Sequence, residues 1–236
     1  NYVRHSTGAG NYTYSPQLHN EGAGGALTVE NCPRVTIRDS PCDANWNGPV
    51  DFSYPLHPFG GTIRMNDSNV SILRTVVRRG GLSDQVITSD LGKYTCGGID
   101  LVGGTLAMTN VLVADTWTAW AIGNKGGTIS AKNCTVTGVR GYGWTGRPAS
   151  AYVAYSDTTV ISDSKASFAD CVFWNNAGGD YDVPVTKEPV FAACLAQAQQ
   201  PGVGNVTCDP LFEDEYFHVK SAAGNYAGGY FDGGSW

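Results

Sequence analysis

Ile129-Ser130-Ala131-Lys132-Asn133-Cys134 is a short alternation of apolar and polar residues that ends on Asn and then Cys. The same phrase stands at Leu27-Thr28-Val29-Glu30-Asn31-Cys32, at Leu106-Ala107-Met108-Thr109-Asn110-Val111 and at Ala166-Ser167-Phe168-Ala169-Asp170-Cys171. Val190-Phe191-Ala192-Ala193-Cys194 is a shortened copy, and Ile72-Leu73-Arg74-Thr75-Val76 is a looser one. Asn110 to Asn133 and Asp170 to Ala193 are both 23 residues apart, while Asn133 to Asp170 is 37 and Thr75 to Asn110 is 35. Two intervals of one length and two longer ones read as one period with inserted loops. Glycine pairs precede many copies, at Gly24-Gly25, Gly60-Gly61, Gly97-Gly98, Gly103-Gly104 and Gly126-Gly127.

In an extended segment successive side chains face opposite ways. A strand this short cannot bury its apolar face alone. Repetition at a fixed interval solves the problem, because each strand can pair with its equivalent one coil away and the inward residues then form columns. The expected fold is all-β: a solenoid, a single-stranded parallel β-helix with inserted loops, forming one domain over residues 1–236. Asn110, Asn133 and Asp170 should stack at one corner, since Asn and Asp tolerate the left-handed backbone a sharp corner demands. Val111, Cys134, Cys171 and Cys194 should form one inward column, with thiols acting as small apolar fillers. The competing reading is an antiparallel sandwich with glycine turns, which does not require the same phrase at a fixed interval.

Charged residues make up only 15% of the 236-residue chain, and Gly is abundant at 31. The net charge is −6 and Arg78-Arg79 is the only adjacent basic pair, so nucleic acid and anionic membranes are not expected partners. No apolar run approaches the ~20 residues of a membrane span. Few Lys, seven Cys and many small polar residues point to an exported protein, extracellular or at a cell surface. An odd number of cysteines leaves one unpaired or paired with another chain. Asn-x-Ser/Thr sequons stand at Asn11, Asn66, Asn69, Asn133 and Asn205, as chance also produces in so Asn-rich a chain. The chain opens at Asn1, which reads as a processed product or a piece of something longer.

The closing third carries a resemblance. Gly202-Val-Gly-Asn-Val-Thr-Cys-Asp-Pro-Leu-Phe212, followed by Phe217-His-Val-Lys-Ser221, resembles the closing segment of large secreted bacterial β-helix proteins of the pectate-lyase-like superfamily. There a "G-N-I-x-x-D-P-L-F" phrase precedes a "Y/F-H-L-K-S" strand. The resemblance covers roughly residues 60–236 and implies a right-handed parallel β-helix. Related chains continue to an "S-P-A-I-D-A-G" phrase, whereas this one stops at Gly234-Ser235-Trp236, as a fragment, a processed product or a last strand completed by another molecule would. The resemblance also implies a disulfide between Cys194 and Cys208; Cys32 with Cys42 is a second, weaker pairing. His218 falls in the closing strand, where a structural role is expected; His5, His19 and His57 lie in no catalytic phrase.

Lyases of that superfamily hold Ca²⁺ with acidic residues in a cleft and use an Arg or Lys as base. Their "W-I-D-H" phrase is missing here, as is the polygalacturonase set of "N-T-D", "D-D", "G-H-G" and "R-I-K". Asp180 and Asp182 give a weak Ca²⁺ hint beside the alternative of a solvated loop; otherwise no cofactor or metal is expected. Trp117, Trp120, Tyr142, Trp144, Tyr152, Tyr155 and Trp174 cluster within 58 residues. An exposed aromatic strip would stack on sugar rings or meet a partner, with Trp117, Trp120, Tyr142, Trp144 and Trp174 as candidates. Packing beneath inserted loops is the equal alternative. Residues 1–25 lack repeat character and read as an N-terminal cap or arm. The Gly-rich, aromatic segment 222–236, with Tyr226, Tyr230, Phe231 and Trp236, reads as an assembly contact. The expected function is a non-catalytic structural or adhesive extracellular module that associates with copies of itself, into a filament or surface layer, and contacts polysaccharide. The alternatives are a polysaccharide lyase or glycoside hydrolase and a carbohydrate-binding appendage of a larger enzyme.

Overall fold

The computed structural model describes residues 2–5, 26–43, 46–47, 62–82, 96–117, 120–141, 149–155, 163–183, 188–214, 217, 225–227 and 230–232. No helix occurs among them. The chain forms an all-β, solenoid-like stack. Each turn contributes three short runs, and each run pairs in parallel with its equivalent on the next turn. In the first run Leu27 pairs with Ile63, Ile63 with Ile99, Ile99 with Ile122 and Ile122 with Tyr152. In the second, Ile37 pairs with Ile72, then Met108, Ala131, Phe168 and Phe191 in succession. In the third, Cys42 leads to Val77, Val113, Val136, Phe173 and Ala196. The first two runs belong to an eleven-stranded sheet, because the strands Ile63–Leu73 and Cys96–Thr109 pass through both; the third builds a six-stranded sheet. Within these two sheets pairing is parallel except at one edge, where Tyr2–His5 lies antiparallel on Leu27–Glu30. Residues 6–25 lie outside the described residues.

The turns are closed by left-handed corners. Asp39, Arg74, Asn110, Asn133, Asp170 and Ala193 all have φ between 46° and 55° and mark the corner between the second and third runs. Their amides climb the stack one turn at a time: Arg74 N donates to Thr109 O, Asn110 N to Lys132 O, Asn133 N to Ala169 O and Asp170 N to Ala192 O, at 3.0–3.1 Å. The expected stack of Asn110, Asn133 and Asp170 is therefore present. A second corner holds Arg79, Asp115, Gly138 and Asn175, and a third Asn31, Asp67, Gly103 and Gly126, all at positive φ.

Two phase assignments need correction. Thr75 is not the equivalent of Asn110; Val76 pairs with Leu112, so Arg74 takes the corner one residue earlier. Arg at positive φ is tolerated there by the surrounding ladder, and its residue type gives no sign of it. Leu27-Thr-Val-Glu-Asn-Cys32 is also out of phase with the Ile129 phrase. It belongs to the first run, its Asn31 turns the third corner, and the Cys32 amide donates to Ser68 Oγ at 3.0 Å. One phrase thus serves two different corners, because both need apolar alternation followed by a residue content with left-handed backbone.

Beside the first of these corners, Val111, Cys134, Cys171 and Cys194 form the expected buried column, each at most 2% exposed. Every thiol donates to the carbonyl two residues back: Cys134 to Lys132, Cys171 to Ala169, Cys194 to Ala192. Ser40 and Thr75 make the same bond with hydroxyls on earlier turns. The sulfurs accept as well, Cys171 Sγ from the Cys134 amide and Cys194 Sγ from the Cys171 amide, both at 3.4 Å. Toward the C-terminal end the core becomes aromatic. Phe168 meets Phe173 edge-on at 4.9 Å and stacks with Phe191 at 5.5 Å, with Tyr152 at 5.6 Å.

Candidate functional site

Alternation in the first run points Ile63, Met65, Ile99 and Leu101 inward and leaves Arg64 and Asp100 on the outer side. The register sets Arg64, Asp100, Gly123 and Val153 side by side. This outer side is buried. Arg64 Nη1 lies 3.2 Å from Asp100 Oδ2, with side chains only 9% and 1% exposed. Tyr155 donates its hydroxyl to Asp100 Oδ1 at 2.8 Å. Arg64 Nε donates to Asn66 Oδ1 at 3.1 Å, and Asn66 Nδ2 to Glu30 Oε1 at 3.3 Å. Cys96, Trp120, Val153 and Tyr155 form a second apolar cluster on the same side, with the Trp120 and Tyr155 rings 5.3 Å apart. Gly123 makes room for it. A Cβ there would sit 2.5 Å from Asp100 Oδ1, 2.7 Å from Trp120 Nε1 and 3.1 Å from Tyr155 Cε1.

Burial, then the neighbouring Asp100, pushes the Tyr155 hydroxyl well above its ordinary range, and the same two causes raise the Cys96 thiol. Both groups stay protonated at neutral pH, Tyr155 as the donor Asp100 needs and Cys96 as a donor to Ile99 O and Ala121 O. Asp100 is fully buried. Both of its oxygens are engaged, one by Arg64 and one by Tyr155, so the cluster as built ties the strands Ile63–Leu73 and Cys96–Thr109 to the end of Ser150–Ala154. Sequence reading missed Arg64, Asp100, Cys96 and Gly123. Opposite charges at the same point of Ile63-Arg-Met65 and Ile99-Asp-Leu101, 36 residues apart, were the available signal.

The aromatic candidates are divided rather than gathered into one strip. Trp117 is 37% exposed and bridges Gly81 and Arg140, with the Arg140 guanidinium 5.5 Å over its ring. Trp174 is half-buried at the end of its strand. Trp120, Tyr152 and Tyr155 are buried, Trp120 and Tyr155 in the outer cluster and Tyr152 in the core, so their rings face protein. Tyr142, Trp144 and Trp236 lie outside the described residues, as does His218. Tyr226, Tyr230 and Phe231 belong to an antiparallel strand pair, Asn225–Ala227 with Tyr230–Asp232, whose backbone register pairs position 226 with 231.

The disulfide between Cys194 and Cys208 is not formed. Cys194 Sγ points into the core, donating to Phe168 O and Ala192 O, whereas Cys208 is exposed. Cys32 and Cys42 are not joined either. Asp180 is spoken for: Oδ1 accepts from the Gln197 amide, and Oδ2 from the Ala198 amide and Gln200 Nε2. Asp182 is exposed, and among the described residues no group of three or more His, Cys, Asp or Glu side chains is placed to hold a metal. No family model, no curated protein and no solved structure matches the chain.

Proposed function

We propose that this chain is a non-catalytic structural module of the extracellular space or cell surface, built as a single-stranded right-handed β-helix of the pectate-lyase-like kind, and that it associates with copies of itself. The observation that carries the reading is where the polar side chains spend their bonds. Arg64 with Asp100, Arg74 with Asp39, and Arg78 and Arg79 with Asp43 each tie one turn to the next. Asn124, Asn176 and Asn205 likewise bond to backbone of other turns or of their own. A side chain engaged in this way is not poised to exchange protons with a substrate, and a stack so bonded suits a load-bearing or spacing role. The test is native mass and particle morphology of the purified protein, alongside incubation with acidic and neutral polysaccharides. Concentration-dependent assembly without release of unsaturated or reducing sugar ends is expected; a monomer that cleaves a polysaccharide would overturn the reading.

A second reading, glycan contact, rests on Trp117, the one exposed ring of the candidate set among the described residues. Its exposed face would stack on a sugar ring while Arg140 bonds the sugar hydroxyls. Trp117→Ala should then abolish retention on the matching polysaccharide; equal retention of the variant would end this reading.

A further inference from the structure

Large apolar side chains are exposed mainly on one turn. Val190 is 66% exposed, Val203 87%, Val206 50% and Leu211 63%; Trp117 is the remaining large one among the described residues. The segment around Val203 closes the stack from below. Ala193 N donates to Val203 O, Cys194 N to Asn205 Oδ1 and Ala196 N to Val206 O, while Asn205 Nδ2 returns to Phe191 O. The last core strands are therefore sealed, and the seal presents valines outward. Such a patch is costly to leave in water and marks a contact.

At the opposite end of the same columns the second run leaves apolar side chains partly exposed. Val35 and Ile37, on the strand Val35–Arg38, are only half-buried, while Val70 and Ile72 one turn on are 2% and 0% exposed. Among the described residues that strand and Pro41–Asp43 are each paired on one side only. The two ends also differ in charge. Residues 188–214 contain Glu188, Asp209, Glu213 and Asp214 and no Lys or Arg. The first turn carries Arg34 and Arg38, both exposed, while its Glu30 accepts from Asn66 and its Asp39 and Asp43 are tied to Arg74, Arg78 and Arg79.

Resting on the self-association proposed above, we propose that the last turn, through Val190, Val203, Val206 and Leu211, docks on the first turn of a second copy of this chain, around Val35, Ile37, Arg34 and Arg38. Apolar surface meets partly exposed apolar side chains, and an acidic turn meets two arginines. The contact is head-to-tail, so it leaves one docking end free on every copy and propagates into a filament unless the rotation closes a ring.

Sedimentation velocity of the full chain over a concentration series tests this, with far-UV circular dichroism and the thermal midpoint confirming intact fold. Val203→Asp/Val206→Asp alters only outward side chains and should weaken association at least tenfold. Arg34→Glu/Arg38→Glu, at the other end, should do the same, and high salt should weaken the wild type. Mixing the arginine variant with a Glu188→Lys/Asp209→Lys variant should restore assembly. If the wild type assembles and the valine variant assembles equally well, this interface is wrong while self-association stands. If the wild type is monomeric at every concentration, both fail. A monomer whose Val203→Cys thiol resists labelling would show that the chain's own residues cover the patch, which also overturns the proposal.

Discussion

Asp100 shows how much a single side chain carries in this architecture. It is wholly buried, and its two oxygens take a guanidinium from the turn before and a phenol from the strand Ser150–Ala154 and its following residue. Removing one partner of a buried pair leaves the other charge uncompensated, which typically costs about 3–5 kcal/mol. Arg64→Ala should therefore lower the urea midpoint steeply, whereas Lys132→Ala, which breaks the exposed pair with Asp170 and leaves the corner residue in place, should leave it nearly unchanged. Equal effects of the two substitutions would contradict the burial of the cluster. Gly123→Ala belongs with the first, because the added methyl meets Asp100, Trp120 and Tyr155 together, and overpacking of this kind costs roughly 1–3 kcal/mol. Thiol chemistry reads the same contrast. Cys208 should label at once in the native protein, and Cys134, Cys171 and Cys194 only after unfolding. A peptide map without reduction that finds Cys194 joined to Cys208 would show the inward placement of Cys194 to be wrong.

At the level of the strand and its corner, the left-handed residue decides the turn. Ala193 adopts φ 51° where earlier turns, Arg74 excepted, use Asn or Asp. An L-residue in that conformation costs about 1–2 kcal/mol, which glycine does not pay and Asn partly recovers. Ala193→Gly and Ala193→Asn should each raise the thermal midpoint, and Asn133→Val should lower it; an unchanged midpoint in all three would mean the corners carry no strain. The corner was legible in the sequence because Asn110, Asn133 and Asp170 carry a residue type chosen by backbone conformation. The Cys column followed from the same phase, since a residue next to a fixed corner must point inward. Arg74 and Leu27–Cys32 were misphased for a physical reason. Alternation and a terminal Asn say that a strand reaches a corner, not which of the three corners it is. The outer cluster was illegible for a different one: period-two alternation predicts that Arg64 and Asp100 face away from the core, but not that other residues cover that face. On this account the sequence leaves Trp120 open to both readings, surface ring or ring packed beneath a loop, and Asp180 open to a weak cation hint or a solvated loop.

Considered as a whole, the molecule hides a set of weak acids that can ionise only by opening the stack. Burial pushes the Tyr152 hydroxyl up to about 12, and within the bonded pair Cys134–Cys171 the shared bond raises Cys171 and lowers Cys134, so the two shifts oppose each other. Cys96, Tyr155 and Cys194 are raised as well: Cys96 and Tyr155 by burial first, and Cys194 by its bond to Cys171 and then burial. In the unfolded chain a thiol ionises near about 8.5 and a phenol near about 10. Between those values and the folded ones the native state holds protons that the unfolded state has already lost. Stability is then full below about pH 8.5 and falls progressively as pH rises toward about 12, because the unfolded state binds fewer protons across that window. Urea midpoints measured from pH 7.5 to 11 should decline with increasing slope, and Cys96→Ser should flatten the early part. Tyrosinate absorbance adds a second readout. The Tyr152 and Tyr155 hydroxyls should ionise only in step with loss of the far-UV signal. Because columns of neighbours share each other's burial, the two events should be one cooperative transition. If every tyrosine of this chain ionised while the far-UV spectrum stayed native, the inward column and the outer cluster could not both be dry.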